Sequence, residues 1–317
     1  MPQHPLADHI RAIIETEGPI TFARYMALAL YDSAAGYYSG GATGREPVGW
    51  AGDFFTSGDI SPLWGWAIAK QLDTMWRQMS MPTPFDVVEP GGGRGLLARD
   101  VWRHAPPDLA RALRYTIIES APAENELLRA RASRLAADLA AVGIAPERVR
   151  WRSEDALREP ITGCILSNEL YDALPCHRVL RDGATLREVY IGVAREGSRL
   201  IELAGPPSTR RISAYLARYA VDWRALPNGW RGEVCLAAEQ AMRGWARRLA
   251  RGYLLTVDYG ATAHELYSAE RLKGTLGVYA DHRFSDDPLR APGEQDITAH
   301  VNFSALMRVG EQAGART

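Results

Sequence analysis

The sequence predicts an α/β fold built around a doubly wound, mostly parallel sheet. Short apolar runs alternate with helical segments along the chain, which is the pattern of a parallel sheet covered by helices. The predicted strands are residues 85–88, 114–119, 149–153, 163–168 and 253–258. A glycine-rich turn follows the first strand, and acidic residues stand at or just beyond the ends of all five. Because open parallel sheets bind ligands at the carboxyl ends of their strands, we expect the functional site at this edge.

The first strand and its turn lie in the run FDVVEPGGGRG, residues 85–95. Its alternate glycines, Gly91, Gly93 and Gly95, let the backbone turn tightly and approach a ligand. No Gly-Lys-Ser/Thr follows, which excludes a phosphate-binding loop. Leu96 stands where a dinucleotide fingerprint has its third glycine or alanine, so pyrophosphate binding is disfavoured. A tight connection without a ligand is the structural alternative.

The remaining spacing is E-x-G-x-G-x-G from Glu89 to Gly95, which resembles the first motif of class I S-adenosylmethionine-dependent methyltransferases. No pyrophosphate has to be held there, so the N-terminus of the following helix can face the carboxylate of the cofactor's methionine moiety. The resemblance implies S-adenosyl-L-methionine as the cofactor, with Glu89 near the cationic end of that moiety.

The later strands supply further polar candidates. Residues 114–119 end in Glu119, which stands 24 residues after Gly95. This is close to the spacing of about 20 at which an acid accepts ribose hydroxyls. A helix is predicted from Ser120 with Pro122 in its first turn, and strand 149–153 then leads to Asp155, the candidate for the adenine end. The fourth strand opens the run GCILSNELYDALP, and the fifth ends in DYG.

Composition indicates a compact enzyme in a reducing compartment. The 317 residues are 46% hydrophobic, which suffices for a core. The 37 basic and 38 acidic residues give a net charge of -1, so no global field attracts nucleic acid or an anionic membrane. The three cysteines lack metal-ligand spacing. No segment resembles a signal peptide, a transit peptide or a transmembrane helix, so we expect a cytoplasmic protein, and the reaction expected below requires no metal.

Three regions are expected along the chain: an N-terminal helical or lid region at 1–80, a core at 81–258 with an insertion at about 176–232, and a C-terminal acceptor-side region at 259–317. Helices are predicted around 6–17 and 21–30. Strand-like runs at 177–180, 187–193 and 199–203, with turn signals at Asp182-Gly183 and Glu196-Gly197, predict an antiparallel insert that forms a substrate lobe. A helix at 233–251 then returns the chain to the fifth strand.

The whole chain resembles the MidA-like family (DUF185) of class I methyltransferases, which includes a mitochondrial complex I assembly factor that acts as a protein arginine methyltransferase. The likeness rests on YMALALYDSAAGYY, GDFFTSGDIS, EPGGGRG, SNELYDALP, LLTVDYG, GTLGVYADHR and DITAHVNF, in that order. Gly92 departs from the pattern, since the family more often has proline there. The resemblance implies a Rossmann-like methyltransferase fold and methyl transfer to arginine on a protein substrate.

A guanidinium acceptor needs carboxylates that orient it and localise its charge. Glu169 and Asp172, directly after the fourth strand, are the catalytic candidates. Asn168, which we also expect at the cofactor, could orient either of them by a hydrogen bond. Capping or salt-bridge roles are the structural alternative for both acids. His177 is a candidate at the substrate, or an inserted-strand residue with a structural partner.

Two other segments supply candidates. Asp53 and Thr56 of GDFFTS are expected in a lid over the cofactor, as the resemblance implies. The polar residues at 296, 298, 300 and 302 alternate in DITAHVN, which in a strand would put all of them on one face. Asp296 and His300 would then line the acceptor site, and a solvated face is the alternative.

Two other functions stay open: an assembly factor that binds the cofactor without turnover, and a small-molecule O- or N-methyltransferase. Proteins of this likeness usually continue into closing strands after the helix predicted near Phe303. We therefore expect a shortened chain whose sheet has an incomplete edge with exposed backbone groups.

Overall fold

The computed structural model describes residues 5–39, 49, 61–120, 125–195, 199–280 and 282–317. The α-helices in these residues are α1 (Pro5–Glu17), α2 (Phe22–Tyr31), α3 (Leu63–Gln78), α4 (Leu96–His104), α5 (Pro107–Ala112), α6 (Glu126–Ala141), α7 (Arg210–Arg218), α8 (Leu236–Arg248), α9 (Ala263–Leu266) and α10 (Phe303–Gln312). The strands are β1 (Ile20–Thr21), β2 (Phe85–Pro90), β3 (Leu113–Ile118), β4 (Val149–Arg152), β5 (Ile161–Asn168), β6 (His177–Asp182), β7 (Thr185–Val193), β8 (Leu200–Gly205), β9 (Arg231–Val234), β10 (Leu249–Val257), β11 (Gly260–Ala261), β12 (Gly277–Ala280), β13 (Arg283–Ser285), β14 (Asp296–Thr298) and β15 (Val301–Asn302).

A five-stranded sheet in the order β10-β5-β2-β3-β4 forms the centre of the fold, and its strands are all parallel. Val87 of β2 pairs with Cys164 of β5 on one side and with Tyr115 of β3 on the other. The chain order reverses between β2 and β5, which makes a topological switch point where such sheets bind ligands. The doubly wound, Rossmann-like sheet expected from the sequence is confirmed.

Helices cover both faces of this sheet. On one face, Val87 and Tyr115 pack with buried residues of α3, α4 and α6. On the other face, Val88 and Ile165 pack with Trp245 of α8. Successive residues of a strand point to opposite faces, and β2 is buried along its whole length. The strands that lead to the site are therefore held rigidly from both sides.

Two helix boundaries predicted from the sequence are wrong. Helix α6 begins at Glu126 rather than near Ser120, because the Asn125 side chain accepts the N–H of Leu128 and caps the helix there. Residues 121–124, the predicted first turn, lie outside the described residues. Helix α8 is shorter than the predicted 233–251, because β9 pairs with β6 and the residues from 249 onward pair with β5.

The inserted lobe is an antiparallel sheet, as predicted. Its order is β1-β7-β6-β9, and β8 pairs with the other edge of β7. The predicted turn at Asp182-Gly183 joins β6 to β7, with Gly183 at φ +58°. The turn predicted at 196–197 lies outside the described residues. Strands β1 and β9 were not predicted, because strands of two and four residues are too short to show an alternating pattern.

The N-terminal helices pack against this lobe. Buried residues of α1 and α2 share one core with Ile191 of β7, Leu200 of β8 and Ile297 of β14. At the end of α2, the Tyr31 hydroxyl donates to the carbonyl oxygen of Ala173 at 3.0 Å, which ties the helix to the segment after β5. No helix of the described segments is long and apolar enough to cross a membrane.

The residues after 259 form two small sheets, β11-β15 and β13-β12-β14. The prediction that the polar residues at 296–302 share one strand face is wrong for His300 and Asn302, which lie beyond the end of β14. Strand β14 ends at Thr298, and the Asn302 side chain caps α10 by accepting the N–H of Ala305. In the part of the chain that the structure describes, no strand extends the central sheet beyond β10.

The close approach of β5 to β2 provides a stability prediction. Gly163 has φ +151°, and a Cβ atom there would lie 2.0 Å from the Asp86 carbonyl oxygen. We expect Gly163→Ala to lower the free energy of unfolding by about 3 kcal/mol, because two packed backbones would have to separate. Chemical denaturation measures the change.

Gly244→Ala in α8 is the matched control. No heavy atom outside its own helix backbone and chain neighbours lies within 4 Å of the Cβ position, so we expect equal or slightly higher stability. A Gly163→Ala protein as stable as the parent would contradict the described backbone spacing.

Candidate cofactor and acceptor site

A cavity of about 850 Å³ lies at the carboxyl ends of β2, β3 and β5, at the switch point of the sheet. Its wall combines the glycine turn with residues of α2, the segment after β5 and the C-terminal region. The predicted residues in the wall are Glu89, Gly91, Gly93, Glu119, Asn168, Glu169, Asp172, Asp296 and His300. The volume lies in the range of sites that enclose a small-molecule ligand.

The glycine turn after β2 has the backbone conformation expected from its sequence. The φ angles are +68° at Gly91, +57° at Gly93 and +74° at Gly95, a region that favours glycine. Gly91 and Gly93 lie in the cavity wall, whereas Gly95 does not. Gly95 instead precedes α4, where a Cβ atom would lie 2.5 Å from Cδ2 of Leu135. Gly95 therefore acts by packing α4 closely on α6.

Glu89 is buried at the end of β2, with 3% of its surface exposed. The Tyr115 hydroxyl donates to its Oε2 at 2.8 Å. Burial raises the pKa of Glu89 to about 7, against the hydrogen bond from Tyr115 and together with the charge of Glu119. The carboxyl group therefore titrates near neutral pH, and its ionised form places a negative charge beside the glycine turn.

Glu119 directly follows β3 and holds the glycine turn from the other side. Its Oε1 accepts the N–H of Gly93 at 2.7 Å. The candidate for the adenine end, Asp155, is exposed on the one-turn helix Glu154–Ala156, and its neighbour Glu154 lines the cavity instead. The role of Asp155 stays a prediction.

The turn after β5 brings Asn168 and Glu169 to the cavity. Glu169 has φ +48°, which is uncommon for a residue with a side chain, and its N–H donates to the Val257 carbonyl at 2.9 Å. Asn168 Nδ2 donates to Glu169 Oε1 at 3.4 Å. Asn168 Oδ1 is buried and accepts no hydrogen bond from the described residues. A buried acceptor of this kind points to a ligand that donates.

Asp172 is buried in the same wall, with 4% of its surface exposed. The Tyr259 hydroxyl donates to its Oδ2, while its Oδ1 has no hydrogen-bond partner among the described residues. Burial raises the pKa of Asp172, and the hydrogen bond from Tyr259 opposes that rise. Oδ1 is therefore an acceptor that a cationic donor would satisfy.

Asp296 and His300, the candidates for the acceptor site, line the same cavity. Asp296 is 3% exposed, and its Oδ1 accepts the Tyr38 hydroxyl at 2.9 Å. The His300 ring packs edge-on against Tyr259, with 5.6 Å between ring centroids. Burial lowers the pKa of His300, so its ring is neutral at neutral pH.

His177 is not in the cavity wall. It lies in β6, and its Nδ1 is 2.7 Å from Oε1 of the fully buried Glu188. This contact favours the structural alternative. Asp53 and Thr56, with the rest of GDFFTS, lie outside the described residues. Among the residues that the structure describes, no cluster of three or more His, Cys, Asp or Glu side chains is arranged to hold a metal ion.

None of the four tyrosines that the structure describes in the wall was among the predicted site residues, and Tyr31, Tyr38 and Tyr259 are the three whose hydroxyl contacts are described above. They stand in YMALALYDSAAGYY and DYG, runs that support the family resemblance without indicating a role for any side chain. Their hydroxyl groups bond to residues that are 87 to 258 positions away in the chain. Local sequence patterns do not reveal contacts at such separations.

Comparisons with known proteins agree with this site. A family model of S-adenosyl-L-methionine-dependent methyltransferases, Methyltransf_28, matches residues 67–317. The mitochondrial protein arginine methyltransferase NDUFAF7 homolog of Drosophila melanogaster is 30% identical, over 98% of this chain and 70% of its own length. The mitochondrial protein arginine methyltransferase NDUFAF7 of Homo sapiens is 26% identical over the same shares of the two chains.

Two solved structures of COG1565 superfamily proteins from Burkholderia thailandensis share the fold. One, bound to S-adenosyl-homocysteine, is 33% identical with a TM-score of 0.85, over 98% of this chain and 76% of that one. The other, a native crystal structure, is 32% identical with a TM-score of 0.81, over 98% of this chain and 75% of that one.

The residues at the cavity fit S-adenosylmethionine. The turn at Gly91 and Gly93 has no side chains to keep a ligand from the backbone, and Glu89 offers a counter-charge for a cationic group. The buried Asn168 Oδ1 supplies a hydrogen-bond acceptor. With the family model matching residues 67–317, the chain belongs to the family of S-adenosyl-L-methionine-dependent methyltransferases, and its cofactor is S-adenosyl-L-methionine.

Proposed function

We propose that this protein methylates an arginine side chain of a protein substrate. The Drosophila and human relatives are named protein arginine methyltransferases, and the chain spans 70% of the length of each. The cavity wall contains Glu169, Asp172 and Asp296 beyond the glycine turn. A cationic acceptor matches this acidic lining.

The unpartnered Oδ1 of Asp172 is the observation on which the proposal depends. A carboxylate that is 4% exposed has lost most of its hydration. The Tyr259 hydroxyl and the backbone N–H groups of Ala173 and Asp172 stabilise its charge, but Oδ1 has no hydrogen bond of good geometry within the described residues. A guanidinium group would supply both a positive charge and N–H donors in a fixed planar geometry. A neutral hydroxyl acceptor supplies one donor and no charge, so it fits this wall less well.

Glu169 and Asp172 are the proposed catalytic residues. Bound S-adenosylmethionine supplies the methyl group. The two carboxylates orient the guanidinium so that one nitrogen faces that group, and they localise the positive charge on the other nitrogens. Because burial raises the pKa of Asp172, this carboxylate is the proposed acceptor of the proton that the methylated nitrogen gives up. Asp296, held by Tyr38, adds negative charge to the acceptor wall.

The proposed cofactor contacts follow the order of the strands. Glu89, Gly91, Gly93, Glu119 and Asn168 would contact S-adenosylmethionine, since all of them line the cavity. Gly95 lies outside the cavity wall, where it allows α4 to pack closely on α6. The roles of Asp155, Asp53 and Thr56 rest on sequence alone, and the pairing of His177 with Glu188 argues against a substrate contact there.

The proposed partner is a protein, and neither nucleic acid nor a membrane is expected. The relatives are named as mitochondrial, so the cytoplasmic location expected from the sequence stays a prediction.

The division of the chain into three regions, 1–80, 81–258 and 259–317, also stays a proposal. The shared core of α1, α2 and the inserted sheet joins the first region closely to the insertion.

Glu169→Gln tests the arginine clamp. We expect transfer of labelled methyl groups from S-adenosylmethionine to protein arginine in a cell extract to fall by about 100-fold, because one oriented carboxylate is lost. Affinity for S-adenosylhomocysteine, measured by calorimetry, should stay within about threefold.

Glu147→Gln is the matched control, since Glu147 is exposed beside β4 and outside the cavity wall; it should not change either measurement. An unchanged rate in Glu169→Gln would remove Glu169 from the mechanism. Label that enters small molecules instead of arginine would favour the small-molecule methyltransferase, and cofactor binding without any transfer would favour the assembly factor.

Glu119→Gln tests the cofactor side. A glutamine can still accept the Gly93 N–H, but its amide group removes the negative charge and one acceptor. We expect affinity for S-adenosylhomocysteine to fall by about tenfold, the value of one charge-assisted hydrogen bond. Equal calorimetric affinities for the variant and the parent would show that Glu119 does not contact the ligand.

The pKa of Glu89 predicts a pH dependence of cofactor binding. Since burial raises this pKa to about 7, the ionised fraction of Glu89 increases from pH 6 to pH 8. The ionised form attracts the cationic end of the ligand, so affinity for S-adenosylhomocysteine should increase over this interval. Glu89→Gln should remove this increase and leave only the titration of the ligand itself. A calorimetric series with identical slopes in both proteins would contradict the assignment.

A further inference from the structure

Asp258 connects the end of β10 to the turn that holds the acceptor carboxylates, although it is not itself among the residues of the cavity wall. It directly follows Val257, which pairs with Asn168 of β5. Its Oδ2 accepts the N–H groups of Leu170 at 3.2 Å and Tyr171 at 2.9 Å. Its Oδ1 accepts the N–H of Tyr259 at 2.9 Å. One side chain therefore holds three backbone amides on two neighbouring segments.

We propose that Asp258 is a positioning residue for methyl transfer, which fixes the turn at 168–172 so that Glu169 and Asp172 face the acceptor. This inference rests on the proposed function. The turn lies between Asn168, the last residue of β5, and Asp172, and Asp258 bonds to its two central amides. It acts through Glu169 and Asp172 rather than by touching the substrate.

The strained conformation of Glu169 explains why such a support is needed. A residue with a side chain at φ +48° is held in a sparsely populated conformation, which persists only where several contacts fix it. The N–H of Glu169 donates to the Val257 carbonyl at 2.9 Å, and the next two N–H groups donate to Asp258. All three consecutive amides of the turn are thus bound by the end of β10.

A carboxylate is the side chain that suits this position. The three partners of Asp258 are all N–H donors, so both of its oxygens act as acceptors. An asparagine has one acceptor oxygen and would direct its own N–H groups at an amide donor. Asp258→Asn therefore loses at least one of the three bonds while keeping the volume of the side chain.

The electrostatic cost of Asp258 supports a role beyond stability. Burial and the charge of nearby Asp172 raise the pKa of Asp258 to about 7, although backbone N–H groups, including those of Tyr171 and Tyr259, oppose that rise. A half-buried carboxyl group next to a buried one is unfavourable for folding. This cost is accounted for if Asp258 sets the position of Asp172 and its neighbours.

The test is a double-mutant cycle with Asp258→Asn and Glu169→Gln. We expect Asp258→Asn to bind S-adenosylhomocysteine within about threefold of the parent and to transfer label to protein arginine at least about tenfold more slowly. The double variant should be about as slow as the slower single variant, because Asp258 acts through Glu169. The proposal would be overturned if the two losses of transfer rate multiplied in the double variant, or if Asp258→Asn had an unchanged rate.

Asp86→Asn is the matched control. Asp86 is an aspartate that, like Asp258, accepts a backbone N–H, but it lies at the amino end of β2, where it bonds to Arg114 and the N–H of Thr162. We expect this variant to be less stable yet to transfer methyl groups at the parental rate per folded protein. If Asp86→Asn does lower the rate of methyl transfer, that loss should multiply with the loss caused by Glu169→Gln in the double variant.

A second variant covers the case in which Asp258→Asn does not fold. Asp258→Glu keeps the charge and both acceptors but moves them by one methylene group, and the same slow transfer is expected from it. If neither variant folds, Asp258 has a structural role and the proposal is overturned. Failure of the proposed function is distinguishable, since it would appear as a parent protein that does not label arginine or as a Glu169→Gln variant with an unchanged rate.

Discussion

Parallel pairing of β2 with β5 is the constraint on which the site depends. Chain order reverses between these strands, so the turns that follow them meet at one edge of the sheet. The two turns are so close that a Cβ atom at Gly91 would lie 2.8 Å from Cδ1 of Leu170. The cofactor turn and the acceptor turn therefore form one cavity, and the φ angle of +68° at Gly91 favours glycine where they touch.

Three of the acidic residues that line this cavity are supported in the same way. Tyrosine hydroxyls donate to Glu89, Asp172 and Asp296 from elements that are distant in the chain. A hydroxyl stabilises a buried carboxylate without bringing a positive charge of its own. The negative charge of Glu89 and Asp172 thus stays available to a cationic ligand, at the cost of raised pKa values.

The sequence was sufficient to predict the sheet, the glycine turn and the inserted antiparallel lobe, because each has a local signature. Alternating apolar runs identify buried strands, and only glycine readily adopts the φ angles found at Gly91 and Gly93. The same logic placed Glu119 and Glu169 at strand ends, where the structure has them in the cavity wall. Position relative to a strand was the informative signal in every case.

Long-range contacts set the limit of that prediction. The support of Asp172 by Tyr259 and the binding of the acceptor turn by Asp258 join residues 87 and 88 positions apart, so no local pattern indicates them. The start of α6 was missed because Asn125 rather than Ser120 provides the cap. His177 was proposed from its place after the fourth strand, but its contact with Glu188 depends on the pairing of β6 and β7.

A crystal structure with S-adenosylhomocysteine and an arginine-containing peptide tests the central claim most directly. The ligand should lie along Gly91 and Gly93 beside Glu119, with the guanidinium bound to Oδ1 of Asp172. A ligand bound outside this cavity, or an arginine that does not reach Asp172, would contradict the account.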